Sequence, residues 1–145
     1  MTLRPATSDD APAMARILWD CFEISLPFLP QLHTPEGHLS FMREMLLPQF
    51  TVWVAEADGA VAGYIAFSES HVRHLYVHPD AQGRGVGPAL LAKALEDGRP
   101  KDLWTFQQNS RARGFYESRG FVAVEFTDGA GNEEKMPDVR YAWTP

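Results

Sequence analysis

Glycine stands at alternate positions 83, 85 and 87, with Gln82 before it and Arg84 and Val86 between. The segment follows the short apolar run Leu75-Tyr76-Val77 and opens what reads as a helix. Residues of these types at a strand-to-helix turn suit an anion. Glycine lets the backbone approach a phosphate closely, the free N–H groups of the first helical turn point at it, and the helix dipole favours its negative charge. Arg84 adds a cation at the same place in the sequence. A mononucleotide or dinucleotide site does not follow, because there is no G-x-x-x-x-G-K-S/T and the glycine spacing does not fit G-x-G-x-x-G. A plain structural turn satisfies the same residues.

Three side chains nearby in sequence can move protons: His71, His74 and Tyr116. In a strand the two imidazoles, three residues apart, alternate to opposite faces. Each has a bland reading as a hydrogen-bonded neighbour. Tyr116 lies one turn from Ala112 and Gly120 on a short helix, where an aromatic commonly packs in a core with its hydroxyl capped. No metal site is expected. His74 and His78 share a face but are separated by about 13 Å along a strand, too far to hold one ion with bonds near ~2 Å.

Gln82-Gly83-Arg84-Gly85-Val86-Gly87 resembles the Q/R-x-x-G-x-G/A loop of the GCN5-related N-acetyltransferase (GNAT) superfamily, and Leu75-Tyr76-Val77 with Pro79 resembles the strand before it. Asn109-Ser110-Arg111-Ala112-Arg113-Gly114-Phe115-Tyr116-Glu117-Ser118-Arg119-Gly120-Phe121 is similar to the superfamily's N-x-x-A-x-x-F-Y-x-x-x-G-F segment, in the family's order. The resemblance implies acetyl-CoA as the cofactor. Its pyrophosphate would lie on the amides of Gln82, Gly83, Arg84, Gly85, Val86 and Gly87, and its pantetheine arm along Leu75, Tyr76 and Val77, one of whose N–H groups would polarise the thioester carbonyl. Asn109 would anchor the cofactor from the other side. Tyr116 corresponds to the tyrosine that protonates the leaving thiolate, a reasonable role for a phenol of pKa ~10 against a thiol near ~8.5. His71 matches a strand position where several members carry a glutamate or histidine linked to deprotonation of the amine, with His74 as the second candidate. Pro88 departs from the pattern, since it removes one N–H from the first helical turn.

These residues need a scaffold to hold them. The chain reads as strand Leu3–Ala6, an amphipathic helix carrying Met14, Ile17, Leu18, Cys21 and Phe22, and an irregular stretch from Leu26 to His33 broken by Pro27 and Pro30. A helix restarting at Thr34-Pro35-Glu36 and ending near Pro48 comes next. Strands Thr51–Ala57 and Val61–Ser68 flank the hairpin turn Asp58-Gly59, and strand Val72–Val77 precedes the glycine-rich loop and its helix. Strand Leu103–Gln107, helix Asn109–Ser118 and strands Phe121–Thr127 and Val139–Trp143 complete the order. An α/β fold is expected, with a GNAT-like mixed central sheet flanked by about four helices, as one domain over residues 1–145.

Composition sets the remaining bounds. The 145 residues carry a formal charge of −6, which disfavours a nucleic-acid backbone and mildly favours cationic substrates. No apolar run approaches the ~18 residues of a spanning helix and no signal peptide is seen, so a cytoplasmic protein with no membrane partner is expected. Cys21, the one cysteine, reads as buried packing. Two regions are placed to meet an acceptor: the irregular stretch Leu26 to His33, and the polar segment Thr127 to Asp138 with Asp128, Glu133, Glu134 and Asp138. The expected activity is transfer of an acetyl group directly to the primary amine of a small cationic molecule. A protein N-terminal or lysine acetyltransferase and a non-catalytic acyl-CoA-binding module are the alternatives, and assembly as a homodimer stays open.

Overall fold

In a computed structural model describing residues 1–145, the elements follow the order read from the sequence: β1 (Thr2–Pro5), α1 (Ala11–Asp20), α2 (Pro35–Phe41), β2 (Thr51–Ala57), β3 (Ala60–Phe67), β4 (Val72–Val77), α3 (Val86–Leu95), β5 (Lys101–Phe106), α4 (Ser110–Glu117), β6 (Val122–Thr127) and β7 (Asp138–Trp143). Wider π-type turns prolong α1 over Cys21–Ser25 and α2 over Met42–Leu46. Thr34 caps α2 by accepting from the Gly37 N–H at 3.0 Å, and Pro35 occupies the first turn, where its missing donor costs nothing.

The mixed sheet is realised as two antiparallel halves. Strands β1-β2-β3-β4 form one and β5-β7-β6 the other. Backbone pairing joins them only at His71 and Asp102, a single parallel bridge with the Asp102 N–H donating to the Ser70 carbonyl at 3.0 Å. Beyond that point β4 and β5 diverge, leaving one edge of β4 without a strand partner. The positive φ angles of Asp58 (54°) and Gly59 (78°) make the tight β2–β3 turn expected from Asp-Gly.

The four-stranded half is buried on both faces. Val52, Val54, Tyr64 and Ala66 pack with Met14, Ile17, Leu18, Met42 and Leu46 of the α1 and α2 layer. The alternate residues Ala55 and Ile65 pack with Leu90 and Leu91 of α3 and with Leu103, Val139 and Tyr141 of the second half. Gly63 permits a close approach on that side: a Cβ there would lie 3.0 Å from the Tyr76 carbonyl and 3.1 Å from the Val86 side chain. This pins the start of α3 against β3. No helix is long and apolar enough to cross a membrane.

Candidate active site

Two cavities flank the divergence of β4 and β5. The smaller, about 460 Å³, is lined by Leu75, Tyr76 and Val77, by loop residues Gln82, Gly83 and Gly85, by Val86 and Gly87 at the start of α3, and by Asn109 and Tyr116. Thus nearly all the residues singled out for a cofactor are brought to one surface, although they come from three separate stretches of the chain.

The loop is left with unused donors. None of the N–H groups from Gln82 to Gly87 bonds to a backbone carbonyl or a side chain, and α3 has no side-chain cap, because its N-cap is Gly85. Gly83 and Gly85 hold φ angles of 79° and 83°, and a Cβ on either would meet nothing within 4 Å. Both glycines line the cavity, and open space beside unspent amides is the kind of cradle that suits a phosphate. Pro88 also lines this cavity, at the third residue of the helix.

The ladder register decides which groups of β4 are free. Tyr76 pairs with Tyr64 and Val77 with Gly63, and the His78 N–H donates to the Ala62 carbonyl at 2.8 Å, which makes Val77–Gly63 a non-bonded pair. By alternation Leu75 and Val77 turn their N–H and C=O toward the open edge, while those of Tyr76 are spent on β3. Of the three residues expected to pair with an extended arm, Leu75 and Val77 therefore have backbone groups to offer. The Val77 carbonyl already accepts from the Cys21 thiol and from the Gln82 amide, each at 3.2 Å. Cys21 is buried as expected, and burial pushes its thiol up to about 12.

One assignment needs correction. The Arg84 guanidinium does not line the cavity; it turns toward Asp58, 3.9 Å away, so its contribution there is limited to its N–H. The cation at the cavity is Arg111, in the first turn of α4, which the sequence reading missed although it stands two residues after Asn109. Asn109 is the N-cap of α4, its Oδ1 accepting from the Ala112 N–H at 3.1 Å, which leaves only its amino group for any ligand.

Tyr116 is 8% exposed. Its ring packs edge-on against Phe115 and Phe121, but its hydroxyl has no protein partner. No buried side-chain oxygen in the molecule lacks a partner, so this hydroxyl must reach the cavity it lines. Burial, with Tyr76 as a smaller contribution, raises the phenol above its ordinary value, so it stays protonated at neutral pH and can donate.

The larger cavity, about 690 Å³, lies on the other side of Tyr76, which lines both. Both regions expected to face an acceptor converge on it: His33 from the irregular stretch, and Gly131, Asn132, Glu133, Glu134 and Asp138 from the late loop. His33 Nε2 and the Glu133 carboxylate are in contact at this cavity. Phe22, Phe41, Trp104 and Phe106 supply apolar walls.

His71 and His74 both line this cavity, which corrects the opposite-face expectation. The register shifts between Ala66–His74 and Phe67–Val72, so Arg73 is an extra residue in β4, and such a bulge resets the alternation. The histidines differ in character. His74 is half-buried, stacked 5.4 Å from Phe41, with Nδ1 2.9 Å from the Tyr64 hydroxyl. Burial, then the charge of Arg73, lowers its pKa to about 3, which makes it a neutral ring and a poor base. His71 instead places Nδ1 2.7 Å from Asp102 Oδ1. Its Nε2 has no protein partner, and no buried nitrogen is unpartnered, so Nε2 is open to the cavity. A fourth histidine of this cavity, His38, was not singled out in the sequence. It is buried in the same wall with Nε2 3.0 Å from Gln31 Oε1, and burial lowers its pKa.

Comparison with known proteins agrees with this architecture. Residues 48–123 match the family model described as the acetyltransferase (GNAT) domain, and the chain belongs to that family of N-acetyltransferases. Among its relatives, the peptidyl-lysine N-acetyltransferase YiaC of Escherichia coli is 26% identical over 142 residues, covering 97% of this chain and 95% of that protein. The probable N-acetyltransferase Rv2775 of Mycobacterium tuberculosis is 35% identical over 81 residues, and the match spans about half of each protein: 50% of this chain and 47% of Rv2775. The structure of yncA from Salmonella typhimurium with its cofactor acetyl-CoA superimposes with a TM-score of 0.76 at 21% identity, over 99% of this chain and 92% of that one.

Proposed function

We propose that the chain transfers an acetyl group from acetyl-CoA to a primary amine, with the cofactor in the smaller cavity and the amine entering the larger one as a cation. The observation that carries this reading is the meeting of the two cavities at Tyr76, one furnished with unused amides and the other with carboxylates. Acetyl-CoA supplies, when bound, an acetyl thioester open to attack by an amine. The amides of Gln82 to Gly87 would hold its pyrophosphate, Arg111 would face its remaining charge, and the open edge of β4 at Leu75 and Val77 would pair with its arm. The N–H at that edge is the donor available to polarise a carbonyl. Tyr116 holds the proton needed by a leaving thiolate. An ammonium group with a lysine-like pKa of ~10.4 costs about 4 to 5 kcal/mol to deprotonate at pH 7, and His71 Nε2 is the open base on the acceptor side. His74, half-buried and neutral, serves as a wall.

The test is release of CoA from acetyl-CoA with a panel of cadaverine, spermidine, an aminoglycoside, free amino acids and lysine peptides. A cationic amine should be fastest; anionic acceptors as the best hits would overturn the reading. A lysine side chain of a protein is the second reading, favoured by the near full-length match to a peptidyl-lysine acetyltransferase. Faster turnover of lysine peptides than of free diamines would select it.

The acidic mouth carries its own expectation. Glu133→Gln with Glu134→Gln should raise KM for the amine about 3- to 10-fold and leave kcat much less affected, because a field that concentrates cations acts before chemistry. In the unaltered protein kcat/KM should fall as salt shortens the Debye length toward ~3 Å at 1 M. Steady-state kinetics at several ionic strengths checks both, and a rise of kcat/KM with salt would exclude acidic steering.

A further inference from the structure

We infer that Asp102 is a positioning residue for the reaction: it fixes His71 in the tautomer whose Nε2 carries the lone pair facing the acceptor cavity. The inference rests on the proposed role of His71 and adds to it a residue that nothing in the sequence had marked.

The geometry is specific. Asp102 belongs to β5 and His71 immediately precedes β4, so the two meet only at the single bridge where the halves of the sheet touch. The backbone bond there, from the Asp102 N–H to the Ser70 carbonyl, would be made by any residue. The carboxylate is therefore not needed to join the halves. It sits instead with Oδ1 2.7 Å from His71 Nδ1, while Oδ2 lies 3.5 Å from Arg140 Nη1. Arg140 is itself held by Glu125, its Nε 3.2 Å from Oε1. An ionised carboxylate only accepts hydrogen bonds, so Nδ1 must carry the hydrogen, and in the neutral ring Nε2 is then the bare nitrogen. Two consequences follow for the proton that the ammonium form of the acceptor has to lose. It passes to the Nε2 lone pair, leaving a neutral amine and an imidazolium. The positive charge so formed rests against Asp102, and the proton then leaves to solvent from the cavity mouth.

Asp102→Asn separates this role from a structural one. The amide is isosteric and keeps the backbone bridge, but its NH₂ can donate to Nδ1 and force the hydrogen onto Nε2. Long-range ¹H–¹⁵N correlation spectra of the protein alone, assigned with His71→Gln, should show the Nδ1–H tautomer in the parent chain and the Nε2–H tautomer in Asp102→Asn. With acetyl-CoA and the fastest of cadaverine, spermidine and lysine peptide, kcat should fall by at least ~10-fold in Asp102→Asn, within the reach of a misplaced base. KM for acetyl-CoA should stay within about 2-fold, as expected when ground-state binding is untouched. Asp102→Glu, which keeps an acceptor, should recover part of kcat. An Nε2–H tautomer in the parent chain, or Asp102→Asn with unchanged tautomer and turnover, overturns the inference. If His71→Gln loses turnover while Asp102→Asn does not, only the positioning role fails. Should His71→Gln itself retain full turnover, the base assignment fails and Asp102 falls with it.

Discussion

Gly85→Asp is expected to weaken acetyl-CoA binding at least about 100-fold in titration calorimetry while the protein stays folded. The side chain would occupy the space that φ = 83° leaves open in front of the loop amides, and its charge would oppose a phosphate where the helix start now favours one. The fold should tolerate the change. A Cβ at position 85 meets no atom within 4 Å, so the main penalty is the left-handed backbone of a non-glycine residue, about 1–2 kcal/mol. Native-like thermal unfolding with lost binding is the expected pair of results. Unchanged affinity in a folded variant would mean that the loop is a structural turn, the plain reading its sequence also allows.

Tyr116→Phe should lower kcat at least ~10-fold, at or below the usual range for an acid–base group, with little change in acetyl-CoA affinity. The structure sharpens this expectation. Because the hydroxyl has no protein partner, its removal strands no buried group, and the retained ring keeps its contacts with Phe115, Phe121 and Tyr141. Stability should therefore change by less than about 1 kcal/mol, and a loss of turnover cannot be charged to unfolding. Full turnover in Tyr116→Phe would return the residue to a packing role.

Much of this site was legible because its signals are local. A glycine at every second position, an Asp-Gly between two apolar runs and a Pro after a threonine each impose their backbone within a few residues, so the order of strands and helices followed directly. The Asn109 to Phe121 block was equally readable, since a capping residue, a helix and a closing glycine lie within a dozen positions. The failures are tertiary. The bulge at Arg73 carries no glycine or proline to announce it, yet one extra residue moves His71 and His74 onto one cavity. Asp102 looked like an ordinary strand carboxylate, and only the bridge to His71, 31 residues away in sequence, gives it a histidine. His33 and Glu133 likewise meet across a hundred positions. Arg84 shows the converse error: a cation inside a motif whose side chain turns away to Asp58.

The central claim is that acetyl-CoA lies along the open edge of β4 and over the loop amides, in the smaller cavity. Titrating ¹⁵N-labelled protein with acetyl-CoA and following backbone amide shifts tests it directly, since each amide reports on its own surroundings. The amides of Leu75, Val77, Gly83, Arg84, Gly85, Val86 and Gly87 should shift most, with Ala112 at the start of α4 responding and Gly131 to Glu134 of the larger cavity moving little. Saturable shifts confined to the larger cavity, or no response of Gly83 to Gly87 at concentrations that saturate turnover, would contradict it.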